Sequence, residues 1–207
     1  LTALVLPALG PGGGAGDVEV ITAQRAGIYD VRVIRADRTD ALIAWLNDHG
    51  FHFGPADEVA LQSYVDRGWC FVVSLINPAP GQRSGEIAVE GLAAPLILRF
   101  PSDLPVYPLA LTGTGGHDTE ILIYLAADQQ MSAGGRLPLR YAGPMGPRWL
   151  SAWARDVNVA GFFDMPSEQC SYLSKFRGRL SPEQMRTDLV FAPDPDGRPY
   201  REIKIVW

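Results

Sequence analysis

The chain reads as an α+β fold, mainly antiparallel β-sheet with a helical hairpin packed on it. Three observations predict this. Strand-like stretches outnumber helical ones, and most connections between them are too short for the crossovers that parallel strands require. Between residues 39 and 67 two helical stretches follow one another, each closed by a glycine.

The first nine residues form a short apolar run broken by Pro7, without a basic leading region or the length of a spanning helix. We read the chain as processed or trimmed there. Gly10 to Gly16 has the composition of a flexible linker, not of a phosphate loop, because Asp17 to Ile21 continue as a strand where that motif needs a helix N-terminus. Residues 1–17 are therefore expected to be a flexible or trimmed segment, either disordered or tethering an apolar run that docks elsewhere. Residues 18–207 are expected to form a single α+β domain.

From Ile28 to Ala36 the alternation places Tyr29, Val31 and Val33 on one strand face and Asp30 and Arg32 on the other, with Ile34 spoiling the polar face. Asp37 or Thr39 is placed to cap a helix whose Leu42, Trp45 and Leu46 share a face, and Gly50 ends it. Pro55 opens a second helix with Asp57 and Glu58 in its first turn, and Gly68 closes it. Trp69 to Ile76 is almost wholly apolar, as a strand covered on both faces would be.

Asn77 to Gly85 reads as a proline-rich loop, and Leu92 to Phe100 and Val106 to Leu111 as strands, the second limited by Pro108 to an edge or a bulge. Glu120 to Ala126 is a buried strand with which Arg136 to Tyr141 is expected to pair. Ser181, Pro182, Glu183 and Gln184 have capping-box spacing, predicting a short helix. Two last strands, Asp188 to Phe191 and Glu202 to Trp207, flank a turn at Asp194 to Gly197 whose residues suit a turn better than a calcium site.

With 207 residues, 47% of them hydrophobic, the chain is long enough to bury a substantial core, and it lacks the run of about 18 apolar residues that a membrane-spanning helix needs. The net charge of -5, with only Lys175 and Lys204 as lysines, does not supply the basic stripe of a nucleic-acid binder.

Five stretches, IYDVRVIRAD, ALIAWLNDHGF, LQSYVDRGWCFVVSLI, LILRFPSDLPVYPLALTG and YLSKFRGRLSPEQMRTDLVFAP, together resemble the bacterial family called domain of unknown function 2330. The similarity runs over roughly residues 18 to 193. It implies an exported protein, periplasmic or otherwise extracytoplasmic and associated with the membrane. Family members often add a signal peptide, a cysteine-containing N-terminal region and sometimes a C-terminal anchor, and the 207 residues are expected to carry none of these. The resemblance supplies no catalytic residues to carry over.

The residues themselves carry no complete catalytic set: there is no nucleophile elbow, no H-E-x-x-H, no C-x-x-C and no Walker loop. His49 and His52 have metal-ligand spacing, but Gly50 between them ends the helix, and His117 sits in a separate glycine-rich turn. We assign no metal and no cofactor. In an exported protein Cys70 and Cys170 form a candidate disulfide, set against the apolar strand around Cys70, which suits a small buried hydrophobe.

The segment from Pro147 to Met165 gathers Trp149, Trp153, Phe162, Phe163 and Met165, which either complete the core or form a partner-binding patch. The expected function is a non-catalytic extracytoplasmic accessory or binding domain, a peripheral subunit of a membrane-protein assembly with another protein as partner. The alternative is a hydrolase-like enzyme whose site assembles from scattered loop residues such as Asp103, His117, Asp118 and Arg140.

Overall fold

The computed structural model describes residues 17–77, 96, 98, 100–145 and 172–202, and the backbone of 2–6. The chain gathers into two compact units, Leu1–Asp103 and Leu104–Trp207. Each is built on a four-stranded antiparallel sheet, so the architecture is α+β with sheet predominating.

In the first unit β1 (Thr2–Leu6), β2 (Val18–Ala26), β3 (Tyr29–Ala36) and β4 (Cys70–Ile76) stand in the order β1-β4-β3-β2, all neighbours antiparallel. The apolar N-terminal run docks beside β4, Thr2 opposite Ser74 and Leu6 opposite Cys70. Five consecutive residues, Cys70 to Ser74, are buried, as expected of a strand covered on both faces.

Between β3 and β4 run α1 (Thr39–Asp48) and α2 (Pro55–Val65), the predicted helical hairpin. Both helices end where glycine predicts, and by one device. At Gly50, with φ +83°, its own N–H reaches the Asn47 carbonyl at 3.1 Å, while the Phe51 N–H reaches that of Leu46 at 2.9 Å. Gly68, with φ +66°, repeats the pattern: Gly68 N–H bonds the Val65 carbonyl at 2.8 Å and Trp69 N–H that of Tyr64 at 3.0 Å. The Tyr64 and Trp69 rings, 5.4 Å apart, make the apolar contact that accompanies this cap.

Two expectations change in this unit. The residue before α1 is Arg38, in extended conformation and with no side-chain cap; neither Asp37 nor Thr39 caps the helix, and Thr39 is its first residue, its Oγ1 buried without a hydrogen-bond partner. Arg38 instead pairs with Asp17 at 3.6 Å and with Asp40, whose carboxyl the Arg38 hydrogen bond holds below its ordinary range. The polar face of β3 is also no solvent face: α1 packs against β2 and β3 on the Ile34 side, where Ile34 is fully buried. Val31 on the other face packs with Val72, Tyr29, Val33, Leu96, Leu98 and Phe100. The remaining residues from 78 to 99, with the loop and most of the strand read there, lie outside the described residues.

The second unit has the sheet order β12-β8-β9-β6, formed by β6 (Thr119–Ala127), β8 (Leu139–Pro144), β9 (Tyr172–Leu180) and β12 (Tyr200–Arg201). Two short ladders, β5 (Val106–Tyr107) with β10 (Leu189–Val190) and β7 (Met131–Ser132) with β11 (Ala192–Pro193), complete it. Its core lies on one face: Ile121 and Phe176 meet Leu109, Leu137, Met185 and Phe191.

Here the local reading misplaced several elements. After β5 the chain turns into a helical turn, α3 (Ala110–Gly113), in place of continuing as a strand to Leu111. The cause is a distant residue: Asp188 Oδ1 accepts the N–H of Leu109 at 3.0 Å and of Ala110 at 3.4 Å. Among the described residues β6 stands at the sheet edge, with Leu122 and Tyr124 exposed, and β8 pairs with β9 and β12 instead of β6.

The capping box forms, with Ser181 N–H to Gln184 Oε1 at 2.9 Å and Gln184 N–H to Ser181 Oγ at 3.4 Å, yet only turns follow. Arg136 takes the carbonyls of Gln184 at 2.8 Å and Thr187 at 2.9 Å, and also that of Asp188, so this stretch is held by a guanidinium fork. The last strands pair with β5, β7 and β8, not with each other; residues 203–207 are outside the described set.

Candidate functional site

β9 alternates from Ser174 onward, although Leu173, on the opposite face from Ser174, is buried as well. Ser174, Phe176 and Leu180 point to the core, which leaves Lys175, Arg177 and Arg179 on the outer face, about 6.4–6.8 Å apart along the strand. β6 does the same, with Ile121 inward and Glu120, Leu122 and Tyr124 outward. Their antiparallel register sets Glu120 opposite Arg179, Leu122 opposite Arg177 and Tyr124 opposite Lys175. An antiparallel sheet packed on one face leaves the other as a regular array, and here the array is cationic with apolar and aromatic interleaving.

The pairs are specific. Lys175 Nζ lies 5.1 Å from the centre of the Tyr124 ring, within cation–π reach. Arg177 Nε donates to Glu120 Oε1 at 2.8 Å, a hydrogen bond that raises the Arg177 pKa further above neutrality. Arg179 approaches Asp118 at 3.8 Å. On the other side of β9, Arg140 donates from Nε to the Arg177 carbonyl at 3.0 Å and pairs with Glu202. Leu122 and Tyr124 keep 48% and 51% of their surface exposed, which leaves an apolar pair at the sheet edge beside the charged row of β9. Such a face can take up an acidic or amphipathic partner by desolvating the apolar pair and exchanging exposed ion pairs, each of which contributes little by itself.

The residues named for the enzyme alternative have separate surroundings within their own units. Asp118 and Arg140 each have a different partner, Arg179 and Glu202. His117 is exposed, with Nδ1 at 2.8 Å from its own turn at the Gly115 carbonyl, and Asp103 ends the first unit. His49 stacks on Trp45 at 3.8 Å and sits 2.7 Å from the Trp45 carbonyl through Nδ1, while His52 is exposed. Among the described residues no three His, Cys, Asp or Glu side chains gather to hold a metal, and no helix is long and apolar enough to cross a membrane.

Cys70 is a buried free thiol, with Arg35 Nη2 3.8 Å from its Sγ. Cys170 lies outside the described residues, as do Trp149, Trp153, Phe162, Phe163 and Met165. Sequence reasoning missed Lys175, Arg177 and Arg179, although the period-two spacing of cations in YLSKFRGRL was the signal for a strand with one charged face.

The sequence model of the family described as an uncharacterized protein conserved in bacteria, DUF2330, matches residues 6–191. No curated protein and no solved structure matches the chain.

Proposed function

We propose that this chain, which belongs to the bacterial DUF2330 family, is a non-catalytic binding or accessory domain that works outside the cytoplasm and docks on another protein, such as a membrane-protein assembly. The observation that carries the reading is the outer face of the second sheet, where Leu122 and Tyr124 stand exposed beside Lys175, Arg177 and Arg179. Exposed apolar side chains framed by long cations suit protein recognition, in which an aromatic anchor supplies affinity and charge supplies orientation. The extracytoplasmic location rests on the export implied by the family resemblance.

Affinity purification from the native envelope, with partners identified by mass, tests the proposal. The wild type is expected to retain a defined partner, and Lys175→Glu/Arg179→Glu to weaken its capture tenfold or more, about 1.4 kcal/mol. Arg179→Glu loses the Asp118 pair and sets a like charge opposite Glu120, so a loss of stability of up to about 1 kcal/mol is expected, and capture is compared at a temperature where both proteins are fully folded. Equal capture by both proteins would show that this face is not the docking surface. Fractionation of the native cell tests the location, and recovery in the cytoplasmic fraction would overturn that part.

A further inference from the structure

The strand β6 has two sides, and β9 occupies one. All nine residues from Thr119 to Ala127 pair with β9 without a register shift. Among the described residues no strand pairs with the opposite edge. Exposed edges are ordinarily blunted by lysine, proline, a bulge or shortness. The edge strand β2 follows that rule, with a bulge at Ile21 and charges at Glu19 and Arg25, and β12 is two residues long. β6 has none of these devices: its sequence, TEILIYLAA, is of high β-propensity with one charge, Glu120.

We infer that the β6 edge pairs with β6 of a second copy of this chain, antiparallel about a two-fold axis that passes between Ile123 and the partner's Ile123. Such an axis maps each sheet face onto itself, so only registers centred on a residue keep inward side chains inward. Centring on Ile123 uses all nine residues. It sets Leu122 opposite the partner's Tyr124, so that the exposed apolar side chains of the two strands pack side by side across the seam while the outer face stays open, and Ile121 opposite the partner's Leu125.

The charges also fit. Glu120 faces the partner's Ala126, so no like charges oppose one another directly. It is also a diagonal neighbour, about 7–8 Å away, of the partner's Tyr124, the ring over which Lys175 already lies. Each carboxylate thereby approaches an ammonium of the other copy, and the two sheets become one.

Sedimentation of the wild-type chain over a range of concentrations is expected to show a monomer–dimer equilibrium. Leu122→Glu/Tyr124→Glu is expected to lose the dimer, because each new glutamate faces another across the axis. Within its own chain each faces Arg177 or Lys175, which supports folding. The register has its own readout: Leu122→Cys mixed with Tyr124→Cys is expected to yield an interchain disulfide under mild oxidation, identified by peptide mass, whereas either alone yields little.

A wild type monomeric at every concentration, a double-glutamate variant that still dimerises, or equal cross-linking by the single variants alone would each overturn the proposal. None of these readouts depends on capture of an envelope partner, so the failure of one proposal leaves the other to its own test.

Discussion

The Asp188 carboxylate accepts the backbone N–H of Leu109 at 3.0 Å across 79 residues of chain. It thereby satisfies donors at the start of α3 that a helix cannot satisfy internally. Asp188→Ala is expected to cost about 1 kcal/mol, and up to about 2, of stability. Asp188→Asn, which keeps a carbonyl oxygen, is expected to recover most of the loss. Urea denaturation of the three proteins checks the order; an Asn variant as weak as the Ala variant would show that the hydrogen bond is not what caps the turn.

Gly50 adopts φ +83°, and a Cβ built there meets nothing within 4 Å. Its substitution therefore reports backbone strain alone. Gly50→Ala is expected to lower stability by about 1–2 kcal/mol, and Gly50→Val by more, since a β-branched residue is worst placed at positive φ. Gly50→Asn is expected to be mildest. Equal unfolding midpoints for glycine and valine would remove Gly50 as the helix stop.

Tyr172 donates its hydroxyl to Gln130 Oε1 at 3.1 Å, and burial, with a smaller push from Tyr141, holds its pKa above the ordinary 10.0. The folded state binds this proton more tightly than the unfolded state does. The associated stability is therefore complete below the unfolded value and is lost as pH rises through the folded one. Above about pH 10 the wild-type unfolding midpoint is expected to fall more steeply than that of Tyr172→Phe. Parallel slopes would remove Tyr172 from the alkaline transition.

Gly197 guards the same network. A Cβ there would lie 2.6 Å from Gln130 Cδ and 2.9 Å from the Asp194 carbonyl oxygen, so Gly197→Ala must displace the amide that receives the Tyr172 hydroxyl. The expected loss is about 1–3 kcal/mol. Adding Tyr172→Phe should then cost less than it does in the wild type, a coupling that a double-mutant cycle measures.

Cys70 is fully buried and free. It is expected to resist alkylation in the folded protein and to react once the protein is unfolded without reductant, each step read as a mass increment. Failure to react in the unfolded, unreduced protein would point to a Cys70–Cys170 bond.

Sequence alone determined those features that depend on a few neighbouring residues. The helical hairpin was legible because Gly50 and Gly68 lie in the left-handed region that glycine enters freely, and because Pro55 suits the first turn of α2. The unbroken apolar run of β4 likewise predicted burial on both faces.

Tertiary structure decided whatever depended on distant partners. Val106 to Leu111 is locally a fair strand, and Asp188 makes its end helical. A capping box begins at Ser181 as its spacing predicts, and three carbonyl contacts from Arg136 hold the chain that follows in turns. The candidate binding face was half visible: alternation marks Lys175, Arg177 and Arg179 as neighbours on one side of a strand, but only pairing with β6 places Leu122 and Tyr124 beside them. Periodicity is a property of a segment and survives in one dimension, whereas register and capping across the chain are settled by which segments meet, and that is decided by burying the whole core at once.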